Sequence, residues 1–136
     1  MFKGTASVIV ILRRMEYDRQ MGTNPLRDPA LSILTVLAGG RRHGYAIIRE
    51  TEELSGGRVK LKVSSLYSAL DRLAADGLVT RAGDEAVDGR LRRYFALSDA
   101  GASVLQAEAD RLAVQARVAT ERLKTRGAAR LSGSAA

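Results

Sequence analysis

The chain has 136 residues, 46% of them hydrophobic but only 4% aromatic and none Trp, so one domain with one added element is expected, its core built from Leu, Val, Ile and Ala in helix-on-helix packing. A formal net charge of +7 gives it a physical reason to meet polyanions, because Lys and Arg that neutralise phosphates release condensed counterions. The absence of cysteine excludes disulfide and thiolate chemistry, and the apolar stretch Ala6 to Leu12 is too short to span a bilayer and has most of its nearby basic residues after it, so a cytoplasmic protein with no membrane partner is expected.

The excess charge is spread along the chain, at +2, +2, +1 and +2 over residues 1–24, 25–61, 62–98 and 99–136, so a surface for nucleic acid has to be assembled by folding. Residues 1–24 read as an N-terminal arm. Asp28-Pro29 is a helix start, with a capping carboxylate before a residue tolerated at the first helical position. Ala30, Ile33, Leu34 and Leu37 recur at helical spacing up to Gly39-Gly40. A second helix is expected from near Gly44 to about Ser55, with Ile47, Ile48, Thr51 and Leu54 inward. Arg58 to Lys62 reads as a short extended connection. A third helix is expected from about Ser64 to Asp76, with Leu66, Ala69, Leu70, Leu73 and Ala74 as its apolar face and Ser65, Ser68 and Arg72 on a polar one.

The pattern then changes to strands at Leu78 to Arg81 and Leu91 to Leu97, joined by a loose GDEAVDG tip. Ser98 caps a last helix from Asp99 to roughly Thr125, in which Ala102, Leu105, Ala109, Leu112, Ala116, Ala119 and Leu123 form a heptad-like seam. The fold class is therefore mainly α with a small β-hairpin. Its parts are a winged helix-turn-helix domain over 25–98, a C-terminal dimerisation helix over 99–126 and an Ala, Gly and Ser-rich tail over 127–136 expected to be flexible.

Three stretches sharpen this order of elements. His43, Gly44 and Tyr45 open the second helix after a Gly-containing turn; SSLYSAL, Ser64 to Leu70, opens the third; GRLRRYFALSDAG, Gly89 to Gly101, forms the second wing strand and the turn into the last helix. In this order and spacing they resemble the PadR family of transcription regulators over roughly residues 29–103. Ser68 and Leu91 stand where that family usually has Pro. The resemblance implies a homodimer on double-stranded DNA, with an inverted-repeat target and repression more often than activation. It also admits a small-molecule effector, which the residues do not name; with no Trp, a stacked planar aromatic is disfavoured.

On this reading the DNA-binding candidates are Lys62, Ser64, Ser65, Tyr67, Arg72, Arg90, Arg92 and Arg93. Hydroxyls and backbone N–H groups at the start of the third helix suit phosphates or base edges, and the family tips Tyr67 towards phosphate. Ser64 reads about equally well as a helix cap and Arg72 nearly as well as a solvated charge; a charge cluster on an edge strand is also ordinary protection, but DNA contact is favoured for Arg90 and Arg92, with Arg93 facing the opposite side. Lys60 is a further phosphate candidate of low specificity, and Tyr45 reads as core-packing. Leu105, Leu112, Ala116, Ala119 and Leu123 are the dimerisation candidates. No nucleophile–base pair, metal cluster, Walker loop or GxGxxG after a strand occurs, so no enzyme, cofactor or metal is expected; His43, the one histidine, reads as a turn residue with a local hydrogen bond. The competing reading is a winged-helix module that binds protein without specific DNA binding.

Overall fold

A computed structural model describes residues 29–133, so the N-terminal arm and Asp28 lie outside the described residues. The chain divides into two compact units after Leu105. In the first, α1 (Pro29–Ala38), β1 (Arg42–His43), α2 (Gly44–Leu54), α3 (Val63–Ala75), β2 (Val79–Val87), β3 (Arg90–Leu97) and the first turns of α4 (Asp99–Gly133) follow in order. The helix, helix, helix, hairpin, helix order expected from periodicity is present, with one extra strand.

The core is aliphatic. Ile33, Leu34, Ile47, Leu66, Leu70, Leu78 and Val104 are fully buried, and Phe95 is the one aromatic among them. α1 contributes Ile33, Leu34, Val36 and Leu37, at i, i+1, i+3 and i+4, and α3 contributes Leu66, Ala69, Leu70 and Leu73, the i, i+3, i+4, i+7 row that makes one face of a helix. Ala74 is exposed, outside that row. In α2, Ile47 and Thr51 are buried but Leu54 is 66% exposed; as the last helical residue it lies past the end of the core layers. Between α2 and α3, Val59 turns inward, and its N–H donates to the Ser55 hydroxyl at 2.8 Å.

The sheet has the order β1–β3–β2, all antiparallel. Two features depart from the sequence reading. β1 pairs Arg42 with Phe95 and His43 with Tyr94, a strand too short to leave a periodic signal. The hairpin is also longer than expected, because Gly83 to Val87 of the GDEAVDG segment are strand rather than loop: β2 continues to Val87, and the whole turn is Asp88-Gly89, the pair expected to supply turn chemistry. Asp88 and Gly89 have φ of 51° and 74°, both positive, as a two-residue type I′ turn requires. Arg81 faces Phe95 and Asp84 faces Arg93, so Ala82 and Gly83 share the position opposite Tyr94 as a β-bulge.

Ser98 ties the start of α4 to the end of α3. Its hydroxyl accepts from the Gly101 N–H at 3.0 Å, the expected cap, and donates to the Gly77 carbonyl at 2.6 Å. Gly101 is packed so closely that an added Cβ would run into the Leu78 carbonyl oxygen. Leu105 packs against the core of this unit, so the first leucine of the expected dimer seam is used within its own domain.

The second unit, from Gln106, is the rest of α4, helical to Gly133 and so through residues 127–133 of the segment expected to be a flexible tail. Local pairs support it: Arg111 Nη2 contacts Glu108 at 2.7 Å and Gln106 donates to Asp110 at 2.8 Å, at i, i+3 and i, i+4 spacing. Leu112 is half-buried, and Ala116, Ala119 and Leu123 are exposed on one stripe of the helix.

Two glycines of α4 should respond to alanine with opposite signs. Gly101→Ala forces a methyl against the Leu78 carbonyl and within 2.8 Å of Leu97 Cδ1, and should destabilise by about 2–3 kcal/mol. Gly127→Ala meets nothing within 4 Å and should stabilise by about 0.5–1 kcal/mol through helix propensity. Urea denaturation of the two variants beside the parent chain measures both.

Candidate nucleic-acid interface

The start of α3 is cut by the backbone rather than by a capping side chain. Lys62 is the N-cap residue, extended at φ −84° and ψ 153°, and its side chain makes no capping hydrogen bond. Ser64 is therefore not the cap, and its exposed hydroxyl, like that of Ser65, is left for other partners. A helix N-terminus with uncapped N–H groups and two hydroxyls suits an anion.

Tyr67, in the same turn, reaches across to α2. An added Cβ on Gly44 would lie 2.8 Å from the Tyr67 Oη and 3.3 Å from its Cζ, so the tyrosine ring lies over Gly44 only because that residue has no side chain. Gly44 thus has a role beyond opening α2: it seats Tyr67 at the surface, where the residue is 36% exposed.

The wing closes the other side of an open groove of about 620 Å³. His43, Gly44, Tyr45 and Tyr67 line its helix side; Val87, Asp88, Arg90, Leu91, Arg92 and Arg93 line its wing side. Four of the eight DNA-binding candidates, Tyr67, Arg90, Arg92 and Arg93, are brought together here. Lys62 and Ser65 line a separate shallow depression with Lys60 and Arg58. Ser64 lines neither, and Arg72 is exposed in the last turn of α3, about 12 Å along the axis from Ser64 at 1.5 Å per residue. Arg72 also complements the carbonyl end of its helix there.

Tyr45 was expected in the core. It is 73% exposed and lines the groove, because it sits at the second position of α2 while Ala46 and Ile47 turn inward. Arg41 was not singled out at all, yet it holds the wing in place: its Nη1 donates to the Ala82 carbonyl at 2.9 Å and its guanidinium stacks 4.3 Å from the Tyr94 ring. Tyr94 in turn donates its hydroxyl to Glu85 at 2.8 Å, and Arg42 pairs with Glu50 at 2.8 Å. The only sequence signal for this network is the density of charge and aromatics around residues 41–45 and 92–94.

A family model described as the transcriptional regulator PadR-like family matches residues 33–107. The chain belongs to the PadR-like family. Its fold is that of a PadR family transcription regulator from Clostridium difficile R20291, with a TM-score of 0.58 at 24% identity over 70% of this chain and 97% of that one. Bacillus subtilis PadR, solved in complex with operator DNA, superposes with a TM-score of 0.54 at 26% identity, over 61% of this chain and 47% of that one. Among curated proteins, an uncharacterized 37.1 kDa protein of transposon TN4556 from Streptomyces fradiae is 42% identical over 86 residues, 63% of this chain, and the match spans 23% of that protein's length.

In this PadR-like chain His43 joins the groove to the fold. Its Nδ1 accepts from the Ala46 N–H at 3.3 Å, the local hydrogen bond expected of it, and its ring meets Tyr94 edge to face at 5.5 Å. Burial lowers its pKa from 6.5, and the nearby Arg92 and Arg49 guanidiniums lower it further against the opposing Glu85 and Glu50. Protonation also puts a hydrogen on the atom that caps α2.

Because the folded-state pKa is depressed, the unfolded chain binds more protons between the two values. The stabilisation is fully present above the unfolded value of 6.5 and is lost as pH falls through the folded value. Urea midpoints taken from about pH 7 to about pH 5 should fall more for the parent than for His43→Asn, which keeps a capping acceptor without titrating.

Proposed function

We propose that this chain is a sequence-specific DNA-binding transcription regulator that acts as a homodimer on an inverted repeat, most readily as a repressor whose site overlaps a promoter. The observation that carries this reading is the groove that sets Tyr67, at the start of α3, against Arg90, Arg92 and Arg93 of the wing. Winged helices of this order insert their third helix into the major groove and lay the hairpin on neighbouring backbone or minor groove. In that pose Ser64, Ser65 and Tyr67 meet phosphates or base edges, and Lys62 meets a phosphate. That Bacillus subtilis PadR is solved in complex with operator DNA supports the DNA-binding reading as a whole.

The dimer reading rests on α4. Leu112, Ala116, Ala119 and Leu123 form a stripe on a long helix, and its small residues permit close approach of a second copy. Leu105, half-buried against the winged core, precedes them on the same stripe, seven residues before Leu112. Two-fold symmetry then sets two recognition helices about 34 Å apart, one turn of DNA. No chemical step, cofactor or effector is part of the reading.

Fluorescence anisotropy on the DNA upstream of the gene, with excess unrelated duplex and a salt series, tests it. Two chains per site are expected, with binding that survives the competitor. Arg90→Ala and Arg92→Ala should each weaken binding and reduce the slope of log affinity against log salt by about 0.9, the value for one phosphate contact. Unchanged slopes end the wing assignment; absence of binding at low salt favours the protein-binding module.

A further inference from the structure

A second cavity, of about 330 Å³, lies between α1 and α2 and shares no residue with the groove beside the wing. Leu31 of α1 and Leu54 of α2 make its apolar part, and Leu54 is 66% exposed. Ser32, Thr35, Thr51, Ser55 and Arg58 make its polar part. Two of these hydroxyls are already engaged. Ser55 donates to the Glu52 carbonyl at 3.1 Å and accepts from the Val59 N–H at 2.8 Å; Thr35 donates to the Leu31 carbonyl at 2.7 Å. Thr51 is different: it is 1% exposed, and its hydroxyl has no hydrogen-bond partner among the described residues. A buried hydroxyl in that state is costly, so an acceptor that reaches it is held more tightly.

The groups left to a ligand are donors: the Thr51 and Ser32 hydroxyls and the exposed Arg58 guanidinium, which pairs with no acid among the described residues. No acid and no aromatic ring is among the described residues that line the cavity. An anionic head on an aliphatic body matches this lining. The guanidinium fork takes a carboxylate bidentately, and with no ring to stack on, the leucines favour an alkyl chain. Arg58 is also the one residue this cavity shares with the shallow depression that holds Lys60, Lys62 and Ser65 at the start of α3. An anion on Arg58 therefore acts beside the end of α3 that the DNA-binding reading places on phosphate.

We propose that the α1–α2 cavity binds a short-chain aliphatic carboxylate, its head on Arg58 and the Thr51 and Ser32 hydroxyls and its chain between Leu31 and Leu54, and that the bound acid withdraws Arg58 from DNA phosphate. The second half rests on the DNA-binding reading above; the first does not. Ligand and DNA then compete for one guanidinium, and each weakens the other by the same factor.

The test is thermal unfolding of the full chain in hexanoate, acetate or hexylammonium. Hexanoate should raise the midpoint saturably; acetate, without the chain, and hexylammonium, with the opposite charge, should not. Arg58→Gln should weaken hexanoate about tenfold and Thr51→Val about threefold. Thr51→Val removes an unpartnered hydroxyl and should not destabilise the ligand-free chain, so its effect reads binding and not folding. On the duplex bound in the anisotropy series, saturating hexanoate should weaken the parent and lower its salt slope by about 0.9, one phosphate contact, and should leave Arg58→Gln unaffected. No saturable rise with hexanoate, an equal rise with acetate, or unchanged hexanoate affinity in both variants overturns the site. A Leu54→Glu variant of halved mass in solution shows a second copy on this face and overturns it too. Hexanoate binding with no effect on DNA affinity overturns the coupling. A chain that binds hexanoate through Arg58 but no DNA overturns the DNA-binding reading and leaves the site standing.

Discussion

Two residues, Arg42 and His43, pair with Phe95 and Tyr94, and the position of the wing depends on that pairing. The same dipeptide ends the loop after α1, adds the outer strand of the sheet and, through His43, caps α2. Its neighbours reinforce it: Arg42 pairs with Glu50 on α2, while Arg41 holds the Ala82 carbonyl and the Tyr94 ring. Phe95 is buried in the core next to the strand pair. Wing, second helix and core are thus joined at one point, and a groove forms there.

The groove shows how a modestly basic chain concentrates its charge. No segment of the sequence is strongly basic, yet folding brings three wing arginines opposite the hydroxyl-bearing start of α3. Asp84 and Glu85 stand opposite Arg93 and Arg92 in the register of the hairpin, and Glu85 accepts from the Tyr94 hydroxyl. Phosphate neutralisation is indifferent to base identity, while contacts in the grooves are not.

The last helix serves two masters along its length. Its first turns belong to the winged unit, where Val104 is fully buried, Leu105 packs on the core and Gly101 lies against the Leu78 backbone. From Gln106 it forms a separate unit with its own i, i+3 and i, i+4 pairs. Alanine and arginine are strong helix formers, and they carry the helix through Gly127, at which composition suggested an end.

The sequence by itself determined the order of the elements, the buried rows of α1 and α3, the Ser98 cap and the presence of a hairpin, because each is written in spacings of a few residues. It also pointed to Tyr67 and the wing arginines, through motifs whose order resembles one family. Only the tertiary structure decided that Gly83 to Val87 are strand, that Tyr45 is outside and Leu105 half-covered, and that Arg41 anchors the wing. The physical reason is the range of the interactions. Helical faces and turns arise from neighbours in the chain, whereas a two-residue strand, a bulge that lets β2 continue, and the choice of which apolar residue is covered depend on partners tens of residues away.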